Sequence, residues 1–330
     1  MSARQKTQVT IYDVARSAGV SRQTVSRALN DKAEIDGLTK QRVLEAARAL
    51  GYRPSRFARG LVRQDTTTIG LVVPDLLNPF FTEVASGALE ATRARGWHVV
   101  VYDTAADPEI ELDTLRVIAS QVDAVIGYFG RSEADLDGYL PGIPVVLIDR
   151  EHRLPRFSSI RIDGEDGVRD AVAHLVSAGH RRIGMLDDAR PSPRQQWFRR
   201  AAAEYGIAIN PGWVLQTEQT VDGGGAALSD LLAAHPDVTA VFTFNDVIAI
   251  GALREARRFG LRVPADLAII GFDGLRLGTL VEPALSSVAI DTRALGALAV
   301  EHVARLVIGG EPLEPAELVV RAALHLRESS

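Results

Sequence analysis

Thr10-Ile-Tyr-Asp-Val-Ala-Arg-Ser-Ala-Gly-Val-Ser-Arg-Gln-Thr-Val-Ser-Arg-Ala-Leu-Asn30 contains two short apolar stripes at helical spacing, separated by a turn. Ile11, Val14, Ala15 and Ala18 fall on one face, which predicts a first helix with Thr10 as its cap and Asp13 as its acidic third residue. Gly19 permits a sharp turn and Val20 anchors it. Ser21 then caps a second helix over Arg22–Leu29, with Val25, Ala28 and Leu29 turned inward. A third helix follows Asp36, with Val43, Leu44, Ala47 and Leu50 on one face, and ends at Gly51. Helix, glycine turn and helix in this order are the geometry of a helix-turn-helix.

Charge supports a polyanion partner for this segment. Residues 1–65 hold 13 Lys and Arg against 6 Asp and Glu, a balance of +7, whereas the rest holds 24 against 36, a balance of −12. A basic head on an acidic body confines nucleic-acid binding to the head. The second helix displays Arg22, Gln23, Thr24, Ser26 and Arg27 outward. Arg pairs bidentately with guanine and Gln with adenine in the major groove, so Arg22, Gln23 and Arg27 are assigned to base edges. Tyr12, Ser21, Thr24, Ser26, Asn30 and Tyr52 are assigned mainly to phosphates, and Thr10 completes the DNA-binding set.

The segment Tyr52-Arg-Pro-Ser-Arg-Phe-Ala-Arg-Gly-Leu-Val-Arg-Gln-Asp65 follows. Pro54 can start a short helix, but the length and Gly60 leave that helix marginal in isolation, so it folds only with a partner. Leu61 among Arg56, Arg59 and Arg63 makes a poor core segment and a sensible wedge held by phosphates.

From Thr67 the pattern becomes apolar strands alternating with amphipathic helices. The expected strands are Thr68–Pro74, His98–Asp103, Ala124–Phe129, Pro144–Asp149, Ser159–Asp163, Arg182–Leu186, Val214–Thr217, Ala240–Phe244, Leu267–Phe272 and Ser286–Ile290. Helices expected between them include Phe81–Arg95, Glu165–Ser177, Trp197–Tyr205 and Asp246–Phe259. The run Gly223–Gly225 reads as a loop before a helix over Ala226–Ala234. Near-continuous apolar strands indicate parallel sheets covered on both faces, and about ten strands exceed one comfortable sheet. The fold class expected is therefore an all-α helix-turn-helix head plus an α/β body of two doubly wound parallel-sheet subdomains.

The ungapped stretch Thr10–Asn30, with Gly51-Tyr-Arg-Pro54, resembles the N-terminal signature of the lactose-repressor family of bacterial transcription regulators. Residues 66–330 resemble the effector domain of the same family, which is periplasmic-binding-protein-like. The landmarks are Ile69-Gly-Leu-Val-Val-Pro-Asp-Leu-Leu-Asn-Pro-Phe-Phe81, Gly179-His-Arg-Arg-Ile-Gly184, Phe244-Asn-Asp246 and Ile270-Gly-Phe-Asp273. The resemblance implies a homodimer whose two heads read a pseudo-palindromic double-stranded operator, with a hinge helix in the minor groove and Leu61 prying open the central step. It divides the chain into a DNA-binding domain (1–52), a hinge (53–65) and an effector-binding and dimerisation domain (66–330). Within the last, an N-subdomain takes about 66–160 and 292–320, and a C-subdomain about 161–291 and 321–330.

The same resemblance makes Asp149, Arg194, Asn245 and Asp273 polar contacts to a small-molecule effector, with Phe80 and Phe81 as its apolar wall. That chemistry suits a sugar or sugar derivative: carboxylates accept from hydroxyls, Arg and Asn donate, and aromatic faces cover C–H surfaces. For Asn245 a helix cap is an equal reading, and for Asp149, Arg194 and Asp273 a cap or a closure ion pair is the rival. Trp197 stands where Gly is common in relatives, either filling the cleft or adding a stacking surface, and Ile290 stands where a polar residue is common. A nucleobase or another metabolite as effector, or a DNA-binding protein without a ligand, are the remaining readings.

Other classes find less support. The 330 residues contain no cysteine, which excludes disulfide scaffolds, thiolate metal sites and cysteine nucleophiles. No Gly-x-Gly-x-x-Gly follows the first strand, and neither a phosphate-binding loop nor Gly-x-Ser-x-Gly occurs. The seven histidines show no metal-ligand spacing. No catalytic residue, metal or cofactor is expected, and the protein is expected not to be an enzyme. A sugar hydrolase or kinase and a transport receptor are the rivals so disfavoured. No run of about 18 apolar residues and no export signal is read, so the expected location is the cytoplasm, without a membrane partner. No leucine-heptad tail follows Leu326, which favours a dimer over a tetramer.

Overall fold

A computed structural model describes residues 11–29, 36–49, 67–149, 156–190, 192–308 and 315–330. The chain divides into two compact units, Met1–Thr66 and Thr67–Ser330.

In the first unit, α1 (Ile11–Ala18), α2 (Arg22–Leu29) and α3 (Gly37–Ala49) close a small core around Val14, Ala18, Val25, Ala28, Val43 and Ala47. The turn after α1 forms because Gly19 takes φ +63°, a left-handed conformation that a side chain disfavours. The Gly19 amide then donates to Arg16 and the Val20 amide to Ala15, at 3.4 and 3.1 Å, the paired bonds of a Schellman stop. Val20 is half-buried against the core it anchors. Asp36 starts α3, accepting from the Thr39 amide at 3.1 Å, and these bonds hold its carboxyl below the usual range.

The second unit contains two six-stranded sheets. The first holds β1 (Thr68–Val73), β2 (His98–Asp103), β3 (Ala124–Gly127), β4 (Val145–Ile148), β5 (Ser158–Asp163) and β11 (Glu317–Arg321), in the order β11-β5-β4-β3-β1-β2 and parallel throughout. The second holds β6 (Ile183–Asp188), β7 (Val214–Thr217), β8 (Ala240–Thr243), β9 (Ala268–Asp273), β10 (Ser286–Ala289) and β12 (Ala323–His325), in the order β12-β10-β9-β8-β6-β7. Edge strand β12 alone runs antiparallel, against β10. The chain passes between sheets after Asp163, between Ala289 and Thr292, and at Ala322. Each sheet therefore has a switch point where the winding reverses, between β1 and β3 and between β6 and β8.

Helices α4 (Pro79–Arg93), α5 (Pro108–Ile118), α6 (Glu133–Tyr139), α7 (Glu165–Ser177), α8 (Pro193–Glu204), α9 (Val221–Ala234), α10 (Asp246–Arg258) and α11 (Thr292–Ile308) complete the layers. Several begin earlier than periodicity alone indicates, because caps set their starts. Asn78 with Pro79 opens α4, and Ser192 with Pro193 opens α8.

The sequence expectation fails at three places. Gly223–Gly225 is no loop: it lies inside α9, which starts at Val221 behind the Thr220 cap. Glycine is a weak helix former, but an added Cβ on Gly224 would land on the backbone of Ile248, and one on Gly251 on that of Val221. Missing side chains are what let α9 and α10 touch. The strand expected over Ala124–Phe129 ends at Gly127, which frees Tyr128 and Phe129 for a loop. Both edge strands near the C-terminus were absent from the expected set, since each is short and half exposed and borrows its pairing from a distant strand.

Candidate functional site

In the head, Ser21 caps α2 by accepting from the Thr24 amide at 3.1 Å, and the two hydroxyls lie 2.9 Å apart. Its successors Arg22, Gln23 and Arg27 are exposed, while Val25 and Ala28 are buried. One face of α2 thus holds the core and the other presents the long polar side chains at its first turns. Tyr12 and Ser26 fall on α1 and α2, and their side chains lie outside the described set. Thr10, Asn30, Tyr52, Arg56, Arg59 and Leu61 lie outside the described residues altogether.

In the body, the carboxyl ends of the two sheets face each other across a cleft whose inner part is a cavity of about 430 Å³. Loops at both switch points supply its walls, as expected for a doubly wound sheet. Phe80 and Phe81 come from the start of α4 and Tyr128 from the end of β3. Asp149 follows β4, Arg194 lies on α8, Asn245 precedes α10 and Asp273 ends β9. Phe80 and Phe81 meet edge-to-face at 5.2 Å, and Phe81 meets Tyr128 the same way at 5.0 Å, giving a connected aromatic wall.

Arg194 is the centre of the polar set. Its side chain is buried, its Nη2 lies 3.4 Å from Asp273 Oδ1, and its Nη1 donates to the Phe244 carbonyl. The guanidinium carbon sits 3.9 Å from the Phe272 ring centroid and 4.3 Å from that of Phe244. Rings on its faces, a carboxylate and a carbonyl at its edge fix the side chain and offset part of its desolvation. Burial pushes the Asp273 carboxyl well above the usual range, with Arg194 opposing and Asp246 and Asp149 adding to the rise.

Asp149 opens to the cleft mouth yet is surrounded by protein, and that desolvation raises its carboxyl against the pull of Arg194. Asp149 at φ +51° and Asp273 at φ +108° both take backbone conformations that L side chains rarely adopt. Strain of this kind costs on the order of 1–3 kcal/mol and persists where the surroundings over-determine it. At both strand ends it aims a carboxylate at the cleft.

Asn245 is fully buried. Its Oδ1 caps α10 through the Ile248 amide at 3.0 Å, and its Nδ2 donates to Gln219 Oε1 at 3.0 Å. Gln219 in turn donates to Asp188 Oδ2 at 2.9 Å. Trp197 lines an adjoining cavity rather than the inner one, and Ile290 is buried in the core. Of the seven residues expected to contact an effector, six therefore line the inner cavity and Trp197 its neighbour.

Sequence reasoning missed Tyr128, Gln219, Arg190 and Asp188. Tyr128 was absorbed into the expected strand, although a residue just beyond a strand at a switch point is a ligand position by rule. Its hydroxyl is buried with no hydrogen-bond partner among the described residues, and burial followed by the charges of Asp149 and Asp273 holds its pKa well above the usual phenol range. No local motif marked Gln219.

Comparison with known proteins agrees with this geometry. Residues 10–55 match the family described as bacterial regulatory proteins, lacI family, and residues 172–330 match the periplasmic binding protein-like domain. Catabolite control protein A of Priestia megaterium is 35% identical over 299 residues, covering 88% of this chain and 90% of the relative. The chain belongs to the LacI family. The HTH-type transcriptional repressor CytR of Escherichia coli strain K12 is 33% identical over 333 residues, covering 97% of each chain. A solved transcriptional regulator CelR–cellobiose complex is 30% identical with a TM-score of 0.73, covering 98% of this chain and 100% of that one. This LacI-family member is a DNA-binding transcriptional regulator and not an enzyme. Among the described residues no helix is long and apolar enough to cross a membrane.

Proposed function

We propose that the protein is a dimeric repressor that reads a pseudo-palindromic operator and responds to a sugar or sugar derivative bound between the two sheets. Arg22, Gln23 and Arg27 contact base edges, and Tyr12, Ser21, Thr24, Ser26, Asn30, Tyr52 and Thr10 hold the backbone. Residues 53–65 form the hinge, with Arg56 and Arg59 on phosphates and Leu61 as the wedge. The body, 66–330, works as the two subdomains outlined from the sequence.

The observation that carries the effector reading is convergence. Carboxylates from β4 and β9 and a guanidinium from α8 meet an aromatic wall from α4 and β3 in one cavity. Asp149 and Asp273 accept from hydroxyls, Arg194 and Tyr128 donate, and Phe80 and Phe81 cover the C–H face of a sugar ring. Asn245 holds Gln219 at the rim. The cellobiose bound to the similar CelR regulator supports a carbohydrate over a nucleobase.

Coupling is mechanical in this reading. A ligand that closes the cleft moves one subdomain against the other and changes the spacing of the hinges. Coupling energies of about 1–3 kcal/mol correspond to operator affinities changed roughly 5- to 150-fold. The test is a thermal-shift screen of the full chain against sugars, followed by operator titration with each hit. A ligand that binds and leaves operator affinity unchanged overturns the mechanism, and the sign of the change separates induction from co-repression. Leu61→Ala should weaken operator binding and bending while the thermal shift with the effector stays; undiminished operator affinity removes the hinge role.

A further inference from the structure

The three backbone amides that follow Asp273 are all held by side chains. Gly274 donates to Ser287 Oγ at 3.0 Å, Leu275 to Asp246 Oδ2 at 2.7 Å and Arg276 to Glu83 Oε1 at 3.2 Å. The acceptors come from three different elements, β10, α10 and α4. The Asp273 carbonyl in turn accepts from the Ile290 amide at 3.0 Å. The corner that leaves β9, with φ +108° at Asp273 and φ +74° at Gly274, is therefore gripped from several sides. A sparsely populated backbone conformation persists where its surroundings hold it, and these bonds are that hold.

Asp246 lies at the centre of the grip. It is fully buried, and its Oδ1 accepts the Ser287 hydroxyl at 2.6 Å while its Oδ2 takes the Leu275 amide. Ser287 is fully buried as well, and it relays the Asp246 carboxylate to the Gly274 amide. Missing side chains make room for the arrangement. An added Cβ on Gly271 would lie 2.1 Å from Asp246 Oδ1, and one on Gly274 would lie 2.3 Å from the Ala289 Cβ. Burial pushes the Asp246 carboxyl up to about 7, opposed by Ser287, the Leu275 amide, Arg327 and the Gly274 amide. What answers the burial of this carboxyl is thus chiefly the corner itself.

Asp273 is where the corner meets the cleft. Its carboxylate lies 3.4 Å from Arg194 and lines the inner cavity, whereas Asp246 does not line it. From this geometry, and resting on the reading of Asp273 as an effector contact, we infer that Asp246, with Ser287 as its relay, is a positioning residue of the effector site. The pair holds the turn after β9 so that Asp273 faces Arg194 and the cleft.

The test follows the Asp273 carboxyl in the full chain by carbon NMR titration, with Asp273→Asn identifying its resonance. In the native protein burial, opposed by Arg194 and reinforced by Asp246, Asp149 and Glu83, holds its midpoint well above the usual range. Ser287→Ala removes the relay and no charge. It should let the corner relax, expose the carboxyl to water and lower that midpoint by about 1 pH unit or more. Asp246→Asn, close to isosteric, should lower it further, because a neighbouring charge goes as well. Cellobiose, titrated calorimetrically as the probe, should bind Ser287→Ala ~10-fold more weakly than the native protein, the scale of one charge-assisted hydrogen bond put out of line. A midpoint unmoved in either folded variant overturns the inference, and so does a lowered midpoint with cellobiose affinity unchanged. Failure of cellobiose to bind the native protein counts against the sugar reading alone, and the titration then decides the role of Asp246 by itself.

Discussion

Arg22 and Gln23 stand exposed on a helix whose core is small valines and alanines, whereas Arg194 is 8% exposed, held between two rings, a carbonyl and a carboxylate. In the function proposed above, the two regions meet partners of opposite kinds, duplex DNA and a sugar. Duplex DNA brings a dense negative charge, so solvated guanidiniums gain from counterion release without prior burial. A sugar brings only hydroxyls, and a protein group competes with water for them only when desolvated and oriented in advance. Hence recognition in the head costs little folding stability, while the polar set of the body is part of its core.

That contrast can be broken by substitution. Arg194→Ala should have the largest effect, about 3–5 kcal/mol of body stability in urea unfolding, because Asp273 is left buried without its cation. A loss below ~1 kcal/mol would place the pair in the weak class of surface bridges. Next is the pH dependence of Asp187, whose carboxyl burial pushes up to about 6 despite a hydrogen bond from Gln195 at 2.9 Å. The folded state keeps that proton where the unfolded chain has lost it, so stability falls as pH rises through ~4 to about 6. Asp187→Asn should remove on the order of 2–3 kcal/mol of that slope, read by unfolding across pH. An unchanged slope would assign the pH dependence elsewhere.

In the head, Arg22→Ala should cost about 1–3 kcal/mol at one base position and relax its preference, read from a selected-site profile. An unaltered profile would return Arg22 to the phosphate contacts. The smallest effect should be Ser21→Ala, about 1 kcal/mol of α2 protection in hydrogen exchange, from loss of its cap. Equal loss of protection at amides of the body would show that the two units unfold together.

The head was legible because everything that makes it is local. Gly19, Ser21 and the spacing of Val14, Ala18, Val25 and Ala28 act within a turn or two of the chain, and all of them do in the structure what their spacing requires. In the body, the positions of most central strands were equally legible, since apolar runs between caps need no partner to be recognised. Their edges were not. Glu317–Arg321 and Ala323–His325 become strands only because Ser159–Asp163 and Ser287–Ala289 lie beside them.

Glycines were misread for a related reason. Gly224 looks like a break along the chain and proves, with Gly251 of the facing helix, to be a contact between helices. At the cleft, Asp149, Arg194, Asn245 and Asp273 were named from a resemblance carried by strand-end motifs, while Tyr128 and Gln219 went unnoticed. Both act through neighbours distant in sequence: Gln219 joins Asp188 to Asn245, and Tyr128 closes a wall begun by Phe80 and Phe81.

By itself, the order of residues determined the helices of the head, the alternation of the body and the basic-to-acidic division, because periodicity, capping and charge are properties of short stretches. Only the tertiary structure decided which carboxylate faces which guanidinium, where the two cavities join, and that Trp197 walls one of them. Those are distances between segments far apart on the chain, and they are set by how two sheets crossed three times by one chain pack their switch points together.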